Sequence, residues 1–230
     1  MYKADALLKE KVEKGVFPNK ITYNVLIDGF CKADNVVAAL KLFKEMKEQQ
    51  ITPSISTYNS LINGLCGEGK IDEALGLRDE MVGLGFEPNI RTYNVILNGF
   101  CKNKMLEEAK EMFDDIVKKG VEVNALTFNT LIDAYCKAGN MNKGIALHQS
   151  MLTQKVCPSV ATYNCLIGGY FQEGNLGAAN KLLEEMEEKG LTADLVTYNI
   201  RIDELCKRGE SRKAVRLLDE IFEKGLIPSH

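Results

Sequence analysis

The chain has 230 residues, 45% of them hydrophobic and 27% charged, with a formal net charge of −3. This is the balance of a folded globular chain rather than a disordered one, and no apolar run reaches the about 18 residues that a membrane-crossing helix needs. The slight acidity runs against the basic excess usual in nucleic-acid binders, so such a role would have to come from how the charge is distributed.

Residues 1–19 read as the second helix and tail of a hairpin, with a helix at 3–13 and then Gly15, Pro18 and Asn19. Met1 falls inside that unit, and neither a signal peptide nor an Arg-rich transit peptide opens the chain. The expectation is a piece of a longer protein. ITYNVLIDGFCK begins at Ile21 and restarts every 35 residues, as STYNSLINGLCG, RTYNVILNGFCK, LTFNTLIDAYCK, ATYNCLIGGYFQ and VTYNIRIDELCK. Pro18, Pro53, Pro88, Pro158 and Pro228 keep the same frame, with no insertion or deletion between them. A fixed period of this length marks a stacked-repeat architecture.

Within the first full unit, Tyr23, Leu26, Ile27, Phe30 and Cys31 form one apolar helical stripe. Thr22 is a candidate N-cap or first-turn residue. First helices are therefore expected near 22–33, 57–67, 92–102, 127–137, 162–172 and 197–207. Gly69, Gly139, Gly174 and Gly209 sit where such helices should stop. A second stripe follows at Val36, Ala39, Leu40, Phe43 and Met46, and its small residue recurs at Ala74, Ala109, Gly144, Ala179 and Ala214. Each unit is thus a helix-turn-helix hairpin. Two short amphipathic helices cannot bury their apolar faces alone, so the hairpins must stack into an all-α solenoid. The units run 1–19 (partial), 20–54, 55–89, 90–124, 125–159, 160–194 and 195–229, which predicts thirteen helices and no sheet.

Five of the seven cysteines recur at multiples of 35 within apolar stretches, and no CxxC or zinc-like Cys/His spacing occurs. Buried free thiols are expected, with no metal. His148 replaces Phe43 and Phe113 in the second-helix stripe and is expected to pack there. His230 is terminal, and nothing in the sequence accounts for Arg201 in place of Leu or Ile. No catalytic triad, HExxH, P-loop or paired-carboxylate motif is present. The expectation is a non-enzyme without cofactor.

A polar ridge opposes the apolar stripe of each first helix. It runs Asn24, Asp28 and Lys32, and recurs as Asn59 and Asn63, as Asn94, Asn98 and Lys102, as Asn129, Asp133 and Lys137, and as Asn199, Asp203 and Lys207. Asn is a poor helix former, so its place in every unit calls for a role. It could cap the helix by bonding local backbone. It could equally offer its amide donor and acceptor to a nucleic-acid base. The second helices carry acidic residues on their outer face, among them Glu45, Asp79, Glu80, Asp114, Asp115, Glu184, Glu185, Asp219 and Glu220. That segregation would leave a mildly basic groove in an acidic chain.

Tetratricopeptide repeats have 34 residues and a Trp-containing pattern, whereas this chain has a 35-residue period and no Trp. The units instead resemble pentatricopeptide repeats of the uniform 35-residue subclass. The TYN and GFCK or GLC elements look most like plant organellar members of the fertility-restorer-like group. The resemblance covers essentially the whole chain. It implies a right-handed α-solenoid whose first helices line a groove for single-stranded RNA, one base per repeat. It implies that the Asn after the aromatic reads the base together with the last residue of the repeat. The pairs are Asn24 with Ser54, Asn59 with Asn89, Asn94 with Asn124, Asn129 with Ser159, Asn164 with Asp194, and Asn199 with Ser229. In the family Asn with Ser favours C, Asn with Asn accepts C or U, and Asn with Asp favours U. The implied target is C-(C/U)-(C/U)-C-U-C, 5′ to 3′.

The resemblance further assigns base stacking to the residue before each Thr, here Ile21, Ser56, Arg91, Leu126, Ala161 and Val196. Ordinary packing at the helix entry is the other reading of these positions. Lys32, Lys102, Lys137 and Lys207 look placed for phosphates, or are solvated lysines favoured by the helix dipole. The family context is processing, stabilisation, editing or translation of organellar transcripts, with the mitochondrion favoured over the chloroplast. No membrane partner is implied, and protein partners would act through regions outside the chain. A protein-binding helical scaffold is the alternative.

Overall fold

The computed structural model describes residues 18–226, and the chain divides after Glu122 into two compact units. The first holds α1 (Lys20–Lys32), α2 (Val36–Glu48), α3 (Ile55–Gly67), α4 (Ile71–Gly83), α5 (Ile90–Lys102) and α6 (Leu106–Lys118). The second holds α7 (Ala125–Lys137), α8 (Met141–Thr153), α9 (Val160–Gln172), α10 (Leu176–Glu188), α11 (Leu195–Lys207) and α12 (Ser211–Glu223). Among the described residues there are twelve helices and no strand. The helix expected at 3–13 lies outside them. In each unit a first helix packs on its own second helix and on the first helix of the next hairpin.

The first helices start two residues earlier than the apolar stripe suggests, because Thr22 is not the cap. Asn19 is: its backbone is extended and its side-chain oxygen accepts the Thr22 N–H at 3.0 Å. Ser54, Asn89, Asn124 and Asp194 cap the following helices through Thr57, Thr92, Thr127 and Thr197. At Thr57, Thr127 and Thr197 the hydroxyl reciprocates by accepting the cap N–H, at 2.9 Å in the Ser54–Thr57 pair, which makes a capping box. Such a cap contributes about 1 kcal/mol to stability.

Glycine stops the first helix in only some hairpins. Gly69 sits at φ 76°, and Asp34 and Lys104 hold the same left-handed turn at φ 53° and 62°. The turn survives without glycine because stacking fixes both helices, and the non-glycine residue carries the strain.

The core follows the two stripes. Tyr23, Ile27, Phe30 and Cys31 of α1 are buried against Val36, Ala39, Phe43 and Met46 of α2. Each buried tyrosine needs a partner for its hydroxyl. Tyr23 donates to Glu45 at 2.9 Å, Tyr58 to Glu80 at 2.7 Å, Tyr163 to Glu185 at 2.9 Å and Tyr198 to Glu220 at 2.6 Å. Four of the acidic residues expected on a solvated outer face are therefore half-buried acceptors for a core hydroxyl, always 22 residues beyond the tyrosine. Repeat 4 loses both members together, as Phe128 and Ser150.

Successive hairpins approach closely at a glycine. A Cβ added to Gly64 would lie 3.1 Å from the Cys31 sulfur, and one on Gly169 would lie 2.8 Å from the Cys136 Cβ. Cys31, Cys66 and Cys136 are buried free thiols as expected, whereas Cys206 is exposed. No further hairpin covers Cys206 among the described residues. The seam between the last two hairpins differs. Phe171 and Glu204 replace the Cys and Gly, and a cavity of about 400 Å³ opens there, lined by Arg201, Arg208 and Arg216 among others. Arg201 places its guanidinium 5.8 Å from the centre of the Tyr198 ring, a cation–π contact that accounts for a charge at a core position.

His148 is buried, edge-on to Tyr163 with ring centres 6.0 Å apart, and its Nε2 has no partner. Burial pushes its pKa down, against the opposing charge of Glu185. The native state thus holds it neutral while the unfolded chain takes up a proton near pH 6.5. Its stability contribution is present above that pH and is lost as pH falls towards the lowered folded value. Urea unfolding of His148→Phe should show the variant gaining up to about 1 kcal/mol on the parent between pH 7.5 and 5.5. Parallel pH profiles would mean that His148 takes up its proton inside the fold.

Candidate nucleic-acid interface

The face of each first helix turned away from its second helix carries the polar ridge. In the first unit it lines a groove of about 420 Å³ with Asn24, Val25, Asp28, Lys32, Ser56, Asn59, Ser60, Asn63, Arg91 and Val95. Every one of these residues lies on a first helix. In the second unit Asp133, Lys137, Ala161, Asn164, Asp194, Val196 and Ile200 help line a groove of about 410 Å³.

All six residues expected to stack on bases are exposed, on the first turn of their helices. Ile21 is 70%, Leu126 61% and Val196 54% exposed. Packing at the helix entry does not explain three aliphatic side chains left this far in water. Ser56, Arg91 and Ala161 are exposed as well, and the charge of Arg91 reaches Asp28 across the groove.

The asparagines do not cap their own helices. Asn24 lies a full turn inside α1, and its contacts run to the next hairpin. Its Nδ2 donates to the Ser54 Oγ at 3.4 Å, and its Oδ1 accepts from the Thr57 Oγ1 at 2.5 Å. Asn129 Oδ1 accepts from Thr162 at 2.7 Å. Asn164 donates to Asp194 at 3.0 Å and accepts from Thr197 at 2.7 Å. The structure thus brings Asn24 to Ser54 and Asn164 to Asp194. Asn59 is buried and its Oδ1 lacks a partner. Asn94 and Asn124 fall in different units. Asn199 is exposed, and Ser229 lies outside the described residues.

Burial pushes the Asp194 carboxyl up, but hydrogen bonds from the Thr197 backbone, the Asn164 amide and the Thr197 hydroxyl outweigh it. They hold the carboxyl below its ordinary range. It is ionised at neutral pH and can only accept.

Three of the four ridge lysines are paired. Lys32 lies 2.7 Å from Asp28, Lys137 2.7 Å from Asp133 and Lys207 2.5 Å from Asp203. The Lys32 ion pair holds Asp28 below the usual carboxylate range, with the Ser60 hydroxyl helping. Lys102 follows Asn98 instead, so no carboxylate on its ridge offsets its charge. The groove is therefore closer to neutral than the lysines alone suggest.

Two sets of residues escaped the sequence reading. The threonines of TYN join the asparagine contacts, a role signalled only by their recurrence. Val25, Ser60, Val95, Cys165 and Ile200, directly after each asparagine, also line the grooves.

The PPR repeat family model matches residues 18–67, 53–102, 88–137, 123–164 and 158–207, and a single PPR repeat matches 196–226. No curated protein resembles the chain closely enough to count as a match. Similar crystal structures include the pentatricopeptide repeat protein PPR10 in complex with an 18-nt psaJ RNA element. It is 22% identical with a TM-score of 0.65, over 99% of this chain and 39% of that one. The PPR domain of Arabidopsis thaliana protein-only RNase P 1, in complex with tRNA, is 18% identical with a TM-score of 0.61, over 87% of this chain and 98% of that one. Nuclear proteinaceous RNase P 2 from A. thaliana is 16% identical with a TM-score of 0.63, over 82% of this chain and 43% of that one. The present chain thus spans about two fifths of the PPR10 chain. With the repeat models matching from residue 18 to residue 226, the chain belongs to the PPR repeat family.

Proposed function

We propose that this chain binds single-stranded RNA, one base per repeat, with C-(C/U)-(C/U)-C-U-C as its preferred sequence, and that it performs no chemistry on the strand. The observation that carries this reading is the asparagine cluster. In repeats 1 and 5 an amide one turn into the first helix meets the last residue of its repeat, and an exposed residue stands on the first turn of every first helix. Single-stranded bases are recognised by such pairing of edge contacts with flat stacking. The similarity to PPR10 with RNA and to the tRNA-bound PPR domain supports the same reading. Its setting would be processing, stability, editing or translation of an organellar transcript, with the mitochondrion favoured. Selection of bound RNA from a random pool tests it. Affinity indifferent to single-base changes would instead favour a protein-binding scaffold.

Lys102 separates positioning from reading. Four fully available lysines would give a slope of log K against log salt near −3, at about 0.7 per phosphate contact. Three share their charge with Asp28, Asp133 and Asp203, so a shallower slope is expected. Lys102→Ala should weaken every RNA alike and flatten the slope by about 0.7. A changed base preference in that variant would contradict a phosphate contact.

A further inference from the structure

We propose that Thr57, Thr162 and Thr197 are positioning residues for the base read by the preceding repeat, because each hydroxyl pins the polarity of that repeat's asparagine amide. The proposal rests on the RNA reading above. A hydroxyl has one proton to give. Thr162 Oγ1 accepts the Ser159 N–H at 3.0 Å, and its own proton goes to Asn129 Oδ1 at 2.7 Å. Thr57 does the same with the Ser54 N–H and Asn24 Oδ1, at 2.9 and 2.5 Å. Thr197 accepts the Asp194 N–H at 3.2 Å and reaches Asn164 Oδ1 at 2.7 Å, with Asp194 Oδ1 as a second acceptor at 2.9 Å. The backbone donor is fixed by the helix start. The hydroxyl is therefore oriented before any ligand arrives, and the amide oxygen is turned into the protein.

An asparagine held this way shows the groove only its N–H edge. That edge suits the O2 and N3 acceptors of cytosine and the carbonyl oxygens of uracil. Turned over, the same amide would present oxygen, which suits the amino group of adenine and the N–H groups of guanine. The asparagine type narrows the choice of base, and the next hairpin's threonine decides which edge of the amide is used.

Repeat 2 is the internal contrast. There the Thr92 hydroxyl points to Asn89 Oδ1 at 3.3 Å, and Asn59 Oδ1 is buried with no partner although Asn59 is only 4% exposed. Its amide is unpinned. The second base should accordingly be selected less sharply than the first and fourth, with purines admitted more often.

The test uses the full chain and synthetic C-C-C-C-U-C RNAs varied at the fourth base, read by fluorescence anisotropy. Thr162→Ser keeps the hydroxyl and should keep the preference for C within about twofold, whereas Thr162→Val should cut the preference for C over purines by roughly tenfold. Selectivity at the fifth base, served by Thr197, should stay as in the parent. Thr162→Val losing affinity equally for all four bases, with the preference for C intact, would overturn the proposal and leave Thr162 as part of a helix cap. A parent that selects pyrimidines while both variants behave alike sinks the pinning idea only. A parent with no base preference sinks the RNA reading and this proposal with it. Should Thr162→Val not fold, random-pool selection by the parent still decides, since purines excluded as strictly at the second base as at the fourth would refute the pinning.

Discussion

Asp194→Ser should move the preference at the fifth base from U towards C by about 1–3 kcal/mol, the scale of a well-placed base contact. Asp194 is held ionised by the hydrogen bonds around it and so can only accept. Uracil offers an N3–H to such an acceptor, whereas cytosine presents a bare N3. The hydroxyl of serine can both donate and accept, and serine is the residue found in the two repeats read as C within the described residues, at Ser54 and Ser159. The exchange is clean because Asp194 is also the N-cap of α11. Ser and Asp are both strong N-caps, so folding should barely change while reading does. In the family's pairing, Asn164→Thr with Asp194 kept should move the same base to G. Competition binding with RNAs differing only at the fifth of six bases measures both. Equal loss of affinity for all four bases in both variants would show that these side chains hold the helix and do not read.

Gly99→Ala should destabilise the first unit by about 1–3 kcal/mol, the usual cost of overfilling a close-packed contact. Helix propensity alone argues the other way, since Ala is favoured over Gly by about 1 kcal/mol inside a helix. The seam decides the sign. A Cβ on Gly99 would lie 2.7 Å from the Cys66 Cβ, and that carbon belongs to a buried residue on α3 that cannot swing aside. Gly76, inside α4, has nothing within 4 Å of the same added atom. Gly76→Ala should therefore gain about 0.5–1 kcal/mol. Urea unfolding of the two variants tests steric closeness against propensity. A stabilised Gly99→Ala would mean that α3 and α5 can part without cost.

The hairpins were legible because a 35-residue period repeats the same stripes without interruption. Tyr23, Ile27, Phe30 and Cys31 recur in spacing, and their burial follows from it. Helix starts were misplaced by two residues because the cap and its partner straddle the repeat boundary. Asn19 and Thr22 are both capping types, and spacing alone does not say which one leads. The Lys32–Asp28 type of pair was open to view at i, i+4. Its consequence for groove charge belongs to the Lys–Asp pair and not to either residue taken singly. The Tyr–Glu bonds join residues 22 apart on different helices, so no single-helix pattern contains them. Arg201 is explained by the Tyr198 ring beneath it, a contact that the repeat pattern alone does not contain.

The capping arrangement bears on how such arrays can be cut and rejoined. The residue proposed to complete a reading pair is the N-cap of the next hairpin's first helix, and the threonine bonded to the asparagine lies three residues further on. A recombination point drawn at residue 54 or 159 would leave Asn24 or Asn129 facing a threonine inherited from another parent. The self-sufficient cassette for exchange runs from just after one threonine to the next, for example from residue 128 to residue 162. Unequal crossing-over in the strict 35-residue phase transplants such a cassette intact whenever the break falls beyond the threonine.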